Sequence, residues 1–190
     1  MKVYDIKTEI EKSGLSLNRV ADLSDYARTN LVHLLQGKRE YKYNTYEKII
    51  NALGHDDIMT NDELMGLMNE ILTNTCYTVR EWSDMTGIDY TTLLNIRYKE
   101  PQSINFKYIK NVAKMFHIYN DLDLKYCITL DEMMNKFFES ARNVSPDLDE
   151  IARYTGIPVR TLVENVAVHW ASGEYKTPKG KTAEKMRRFL

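Results

Sequence analysis

Thr86-Gly87-Ile88-Asp89-Tyr90-Thr91-Thr92-Leu93 returns 69 residues later as Thr155-Gly156-Ile157-Pro158-Val159-Arg160-Thr161-Leu162, with Thr, Gly, Ile, Thr and Leu kept. A glycine ends a helix because it enters the left-handed region without a Cβ clash. An aliphatic residue, a polar helix start and a Leu that needs burial follow it. The octet therefore reads as one helix turning into a second, and its recurrence makes the chain a repeat.

The same offset extends beyond the octet. Thr60-Asn61-Asp62-Glu63 becomes Thr129-Leu130-Asp131-Glu132. Each is a capping box, in which a Thr hydroxyl and a Glu carboxylate satisfy free amides at a helix start. Thr78 falls on Asp147, both good N-caps. Trp82 falls on Ile151 and Ser83 on Ala152. A third copy lies 62 residues before the middle one, matching Ser16 to Thr78, Val20 to Trp82, Ala21 to Ser83 and Leu31 to Leu93. There Asp25 replaces the glycine and Tyr26 replaces Ile88. The reading is three units, residues 1–57, 58–126 and 127–190, with compact junctions at 54–57 and 119–129. Units of roughly 60 residues bury little surface alone, so they are expected to pack on one another.

Each copy opens with an amphipathic helix, carried by Val3, Ile6 and Ile10, by Leu64, Leu67, Met68, Ile71 and Leu72, or by Met133, Met134, Phe137, Phe138 and Ala141. The Met and Phe pairs read as a core stripe rather than a cofactor pocket. A second helix follows, capped by Ser16, Thr78 or Asp147. A third is anchored by Leu31 and Leu34, by Leu93 and Ile96, or by Leu162 with Asn165 in the last anchor position. Copies one and two continue into a further helix, with Tyr46, Ile49, Ile50 and Leu53 on one face and Ile109, Val112, Ala113 and Phe116 in the equivalent places.

Charge is nearly balanced, 26 Lys and Arg against 27 Asp and Glu. Copy one has nine basic and nine acidic residues, copy two seven and nine, copy three ten and nine. The global basic bias common in nucleic-acid binders is absent. Cys76 and Cys127 stand outside any metal-ligand pattern and read as reduced thiols. The four histidines are scattered, and His55-Asp56-Asp57 reads as a solvated linker rather than a metal site. No apolar run is long enough to span a membrane, and the charged start lacks a signal-peptide core. Gly180-Lys181-Thr182 is not a phosphate-binding loop, because Tyr175 stands where its first glycine is needed. No catalytic set and no cofactor motif is present, so an enzyme is not expected.

Two short helices, a tight turn, a small residue in the first helix and aliphatics in the second describe a helix-turn-helix. Ala21, Ser83 or Ala152 allows close helix approach, and Tyr26, Ile88 or Ile157 fills the angle. The runs VADLSDYARTNLVHLLQGKR, WSDMTGIDYTTLLNIRYKEP and IARYTGIPVRTLVENVAVHW resemble the core of the lambda-repressor and Cro (Xre-type) family. The middle run carries the likeness through Gly87, Ile88, Thr92, Leu93 and Ile96, and the first keeps a helix-end signature at Gly37-Lys38-Arg39. The resemblance implies an all-α chain of three tandem lambda-repressor-like helix-turn-helix domains. It implies a cytoplasmic bacterial or phage transcriptional regulator, a repressor of double-stranded operator DNA, whose second helix enters the major groove.

By that resemblance the reading positions are Arg28, Thr29, Asn30 and His33 in copy one, with Lys38, Arg39 and Lys42 beyond. In copy two they are Tyr90, Thr91, Thr92, Asn95, Arg97 and Lys99. In copy three they are Val159, Arg160, Thr161 and Glu164, a set poorer in donors. Arg and Asn suit guanine and adenine edges, and the Lys/Arg cluster suits phosphates. Asp89 stands where the family has a Ser near phosphate, so it either caps the helix or repels DNA. The interleaved bases and aromatics of residues 38–46 could grip a backbone or stack on single-stranded bases, or place Tyr46 in the core and line a loop with the rest. The lysine-rich tail, Lys176 to Arg188, is either a phosphate clamp or a solvated end. The neutral charge, Asp89 and Glu164 leave open a second reading, a module that binds a protein partner. A homodimer is also left open.

Overall fold

The structure, a computed structural model, describes every residue except Glu100. It is all-helical, and no strand occurs among the described residues. The first repeat holds α1 (Ile6–Ser13), α2 (Leu17–Ser24), α3 (Arg28–Leu35) and α4 (Tyr43–Ala52). The second holds α5 (Asn61–Thr73), α6 (Val79–Thr86), α7 (Tyr90–Lys99) and α8 (Ile109–Asn120). The third holds α9 (Leu130–Val144), α10 (Leu148–Thr155), α11 (Val159–Leu162), α12 (Val168–Ser172) and α13 (Gly180–Phe189). A π-helical turn, Val163–Ala167, joins α11 to α12.

The helix starts follow the caps in the sequence. Ser16 Oγ accepts from the Arg19 amide at 3.2 Å. The boxes close at Thr60–Glu63 and Thr129–Glu132, each Glu accepting its N-cap amide at 2.8 Å. A third closes at Thr78–Glu81, where the sequence reading had placed only an N-cap.

The turn has the same form three times. The eight-residue helices α2, α6 and α10 each end one residue before a left-handed backbone position. That position is Asp25 (φ 50°), Gly87 (φ 78°) or Gly156 (φ 67°). The next helix begins three residues later. Asp25 is the sole non-glycine with positive φ among the described residues, and Asp is one of the few residues that tolerate it. The octet's Thr has its own role: Thr155 Oγ1 donates to the Ile151 carbonyl at 2.8 Å and accepts from the Ile157 amide at 3.1 Å. Ser24 donates likewise to the Val20 carbonyl, and Thr86 accepts from the Ile88 amide.

The chain forms two compact units, residues 1–70 with 86–117, and residues 71–85 with 118–190. The division passes through the middle repeat, so α7 and most of α8 belong to the first unit and nearly all of α6 to the second.

In the first unit α4 packs on α1 and α2, and α2 on α3. Val20, Leu31, Ile49, Ile50, Leu64 and Leu93 are fully buried, each worth about 1.5–3 kcal/mol of transfer free energy. Leu53, Leu67 and Ala113 are only partly buried, and Val3, expected on the face of Ile6 and Ile10, lies ahead of α1 and is exposed. The aromatics of the basic stretch lie inward: Tyr43 and Tyr46 are fully buried, and Phe106 stacks on Tyr46 at 4.5 Å and on Tyr41 at 4.8 Å. Rings packed this way are not a platform for single-stranded bases. The junction after α4 is not a free linker either. Tyr4 stacks on His55 at 4.0 Å and donates to Asp57 at 2.8 Å, and His55 Nε2 lies 2.9 Å from Glu9.

In the second unit α13 packs on α9 and α10, and α10 on α11, the pairing that α4, α1, α2 and α3 show in the first. Met133, Met134, Phe137, Ile151, Leu162 and Met186 are fully buried. Asn165, the polar residue in an anchor position, keeps its place inside the third copy's helix. It is buried in the π turn, donates to the Thr161 carbonyl at 2.9 Å and leaves its Oδ1 unpartnered. The tail is not wholly solvated: Arg187 is 5% exposed and bonded to Glu81 and the Cys76 carbonyl.

Candidate nucleic-acid interface

Packing of Leu31 and Leu34 into the first unit turns the opposite side of α3 outward, so Arg28, Thr29 and His33 are exposed. Asn30 is half-buried. Its Oδ1 accepts from Arg39 Nη1 at 2.5 Å. That bond carries Arg39 back from the loop onto the helix and uses the acceptor Asn30 needs for a bidentate adenine contact.

Lys38, Arg39 and Lys42 are all exposed. The backbone that bears them is held by the segment after α7. Tyr43 donates its amide to the Ile104 carbonyl at 2.8 Å, and Phe106 donates to the Tyr41 carbonyl at 2.8 Å, forming an antiparallel bridge between Lys42 and Asn105. Glu40, within the basic stretch, accepts from Asn105 Nδ2 at 2.6 Å and pairs with Lys107 at 3.4 Å. The loops that follow α3 and α7 are thus one paired element, and both helices belong to one unit. Lys107 is a cation the sequence reading missed. The repeat offset places it in the loop after α7, but its pairing with Glu40 spans 67 residues.

On α7, Leu93 and Ile96 are buried. Tyr90, Thr91 and Lys99 are exposed, while Thr92, Asn95 and Arg97 are half-buried. The Arg97 guanidinium lies 5.3 Å from the Tyr98 ring. Asp89 starts the helix through its carbonyl, which accepts from the Leu93 amide at 3.1 Å. Its carboxylate is bonded by the Tyr108 hydroxyl. That hydrogen bond to the carboxylate pushes the Tyr108 hydroxyl above its usual range.

The third copy lies in the other unit. Arg160 is exposed and paired with Glu164 at 3.4 Å, one turn away. Val159 and Thr161 are half-buried, and the Thr161 carbonyl is taken by Asn165. Acidic groups also flank Arg28: Asp22 and Asp25 line the same open groove of about 550 Å³.

Among the described residues no helix is long and apolar enough to cross a membrane. No group of three or more His, Cys, Asp or Glu among them could hold a metal ion. No protein-family model, curated protein or solved structure matches this chain.

Proposed function

We propose that the chain is a sequence-specific DNA-binding transcriptional regulator, a repressor built from three tandem helix-turn-helix units of the lambda-repressor type. The reading rests on one observation above the others. Two candidate reading helices, α3 and α7, share a unit, and Arg28, Thr29, His33, Lys38, Arg39 and Lys42 stand exposed on and after the first. On this reading Arg28 contacts base edges, Asn30 holds Arg39 against α3, and the lysines position the unit on phosphates. The paired loops hold both readers in one chain, as a dimer interface does for single-headed repressors, whose half-sites lie about 34–36 Å apart. Repression follows by occlusion of the promoter. Copy three, with Arg160 tied to Glu164, serves in self-association or as a clamp.

Selection of bound fragments from random DNA, followed by gel-shift titration of Arg28→Ala/Lys38→Ala, tests this. An enriched sequence whose affinity falls in the variant and with salt supports it. The absence of any enriched sequence overturns it.

A second reading, a module that docks on a protein partner, is favoured by Asp22 and Asp25 beside Arg28, since carboxylates there oppose phosphate approach. Recovery of a single stoichiometric partner together with failure of DNA selection would support that reading.

A further inference from the structure

The second unit contains a cavity of about 380 Å³ on the outer side of α6 and α13, within the size range of small-molecule sites. It belongs to none of the reading positions. The rings of Tyr77 and Tyr126, 5.8 Å between centroids, and the Met85 side chain form its apolar lining. Such a lining suits a flat hydrocarbon body.

Its charges do not cancel. Three carboxylates line it, Glu81, Asp84 and Glu184, against two guanidiniums, Arg187 and Arg188. Each guanidinium is already committed. Arg187 bonds both Glu81 oxygens and the Cys76 carbonyl, and lies 4.4 Å from the Tyr77 ring. Arg188 pairs with Glu184. Asp84 is exposed and, among the described residues, has neither a hydrogen bond nor an ion pair. An anionic ligand at Arg187 would have to break its pair with Glu81, and breaking a buried pair leaves an uncompensated charge behind, while one at Arg188 would compete with Glu184. A cation meets a carboxylate that is already waiting.

We propose that this cavity binds a small organic monocation with a planar apolar body, its ammonium or amidinium group on Asp84 and its ring against Tyr77 and Tyr126. The ring contacts supply apolar burial, and the charge on Asp84 selects against neutral and anionic compounds of the same shape.

The probe is phenethylamine, with 2-phenylethanol and phenylacetate as the neutral and anionic counterparts. Titration into the full chain is followed by NMR of the tyrosine rings, with Tyr77→Phe and Tyr126→Phe assigning the signals. Expected is a saturable shift of the Tyr77 and Tyr126 signals by phenethylamine, weakened about tenfold by Asp84→Asn, since a charge-assisted bond is lost. The exposed, unbonded Asp84 side chain makes that variant neutral for folding, which its unfolding curve checks. No saturable shift at millimolar phenethylamine overturns the proposal. So does binding of phenylacetate as tight as that of phenethylamine, or equal affinity in Asp84→Asn.

Discussion

The Tyr108 hydroxyl donates to the Asp89 carboxylate across nineteen residues of sequence, from the turn that precedes α8 to the residue just before α7. The bond changes how Asp89 acts. On the proposed function a carboxylate at the start of α7 repels phosphate, and a hydroxyl dipole aimed at it offsets part of that repulsion. On that proposed function, Tyr108→Phe should therefore weaken DNA binding by up to about fivefold, the scale of one exposed polar interaction. Asp89→Asn should strengthen it. Gel-shift titration of both variants measures the effect, and equal affinity in all three proteins would remove α7 from the interface.

The buried Leu of each second helix is the best point at which to compare the three copies. Leu31, Leu93 and Leu162 are all fully buried. Truncation to Ala at each should cost about 2–5 kcal/mol, the transfer term plus the cavity left behind. Urea unfolding monitored by circular dichroism measures the loss. A cost under about 1 kcal/mol at any one of them contradicts the packing described for that copy.

The three left-handed turn positions should respond differently. Gly156→Ala should cost about 1–2 kcal/mol, because Ala pays for φ 67° but meets only the mobile end of Lys185 at 3.7 Å. Gly87→Ala should cost more. Its Cβ would lie 2.9 Å from Asn111 Nδ2, which donates to the Thr86 carbonyl at 2.8 Å. Asp25→Gly should stabilise by up to about 1 kcal/mol, relief of the strain at φ 50° exceeding the added chain entropy. Denaturant midpoints order the three.

Arg187 and Glu81 test the buried pair. Arg187→Ala should destabilise by about 3–5 kcal/mol, because Glu81 is left without its counter-ion and the Cys76 carbonyl without its donor. The double variant Arg187→Met/Glu81→Gln should lose less than the two single losses together. A double-mutant cycle with no coupling would contradict the pairing.

Acid should unfold the chain through its caps. The Glu63 and Glu132 carboxylates accept the amides and hydroxyls of Thr60 and Thr129, which hold both below the ordinary value of 4.5. Lys2, and then Tyr4, lower Asp57 in the same way. A depressed native value means that stabilisation is full above the unfolded value and is lost as pH falls through the native one. The melting temperature should therefore drop as pH falls below about 4.5. Glu63→Gln/Glu132→Gln should flatten that dependence, which thermal melts at a series of pH values would show.

Sequence alone determined the helices, the three-fold recurrence of the turn, the caps and the apolar stripes. These depend on groups within about one helical turn of each other, so their chemistry is complete in a short window of residues. Thr129 and Glu132 make their box whatever lies elsewhere, and a Leu at position 31, 93 or 162 has only one side of its helix to bury. Tertiary structure decided what the polar residues do. Asp89 accepts a hydrogen bond from Tyr108, Asn30 is held by Arg39, Glu40 reaches Lys107 and Arg187 turns inward to Glu81, across separations from 9 to 106 residues. The same holds for the rings of residues 41–46, which leave the basic stretch for the core. A charged or aromatic side chain is satisfied by any suitable partner that folding brings near, so its role is set by the assembled chain and not by its neighbours in sequence.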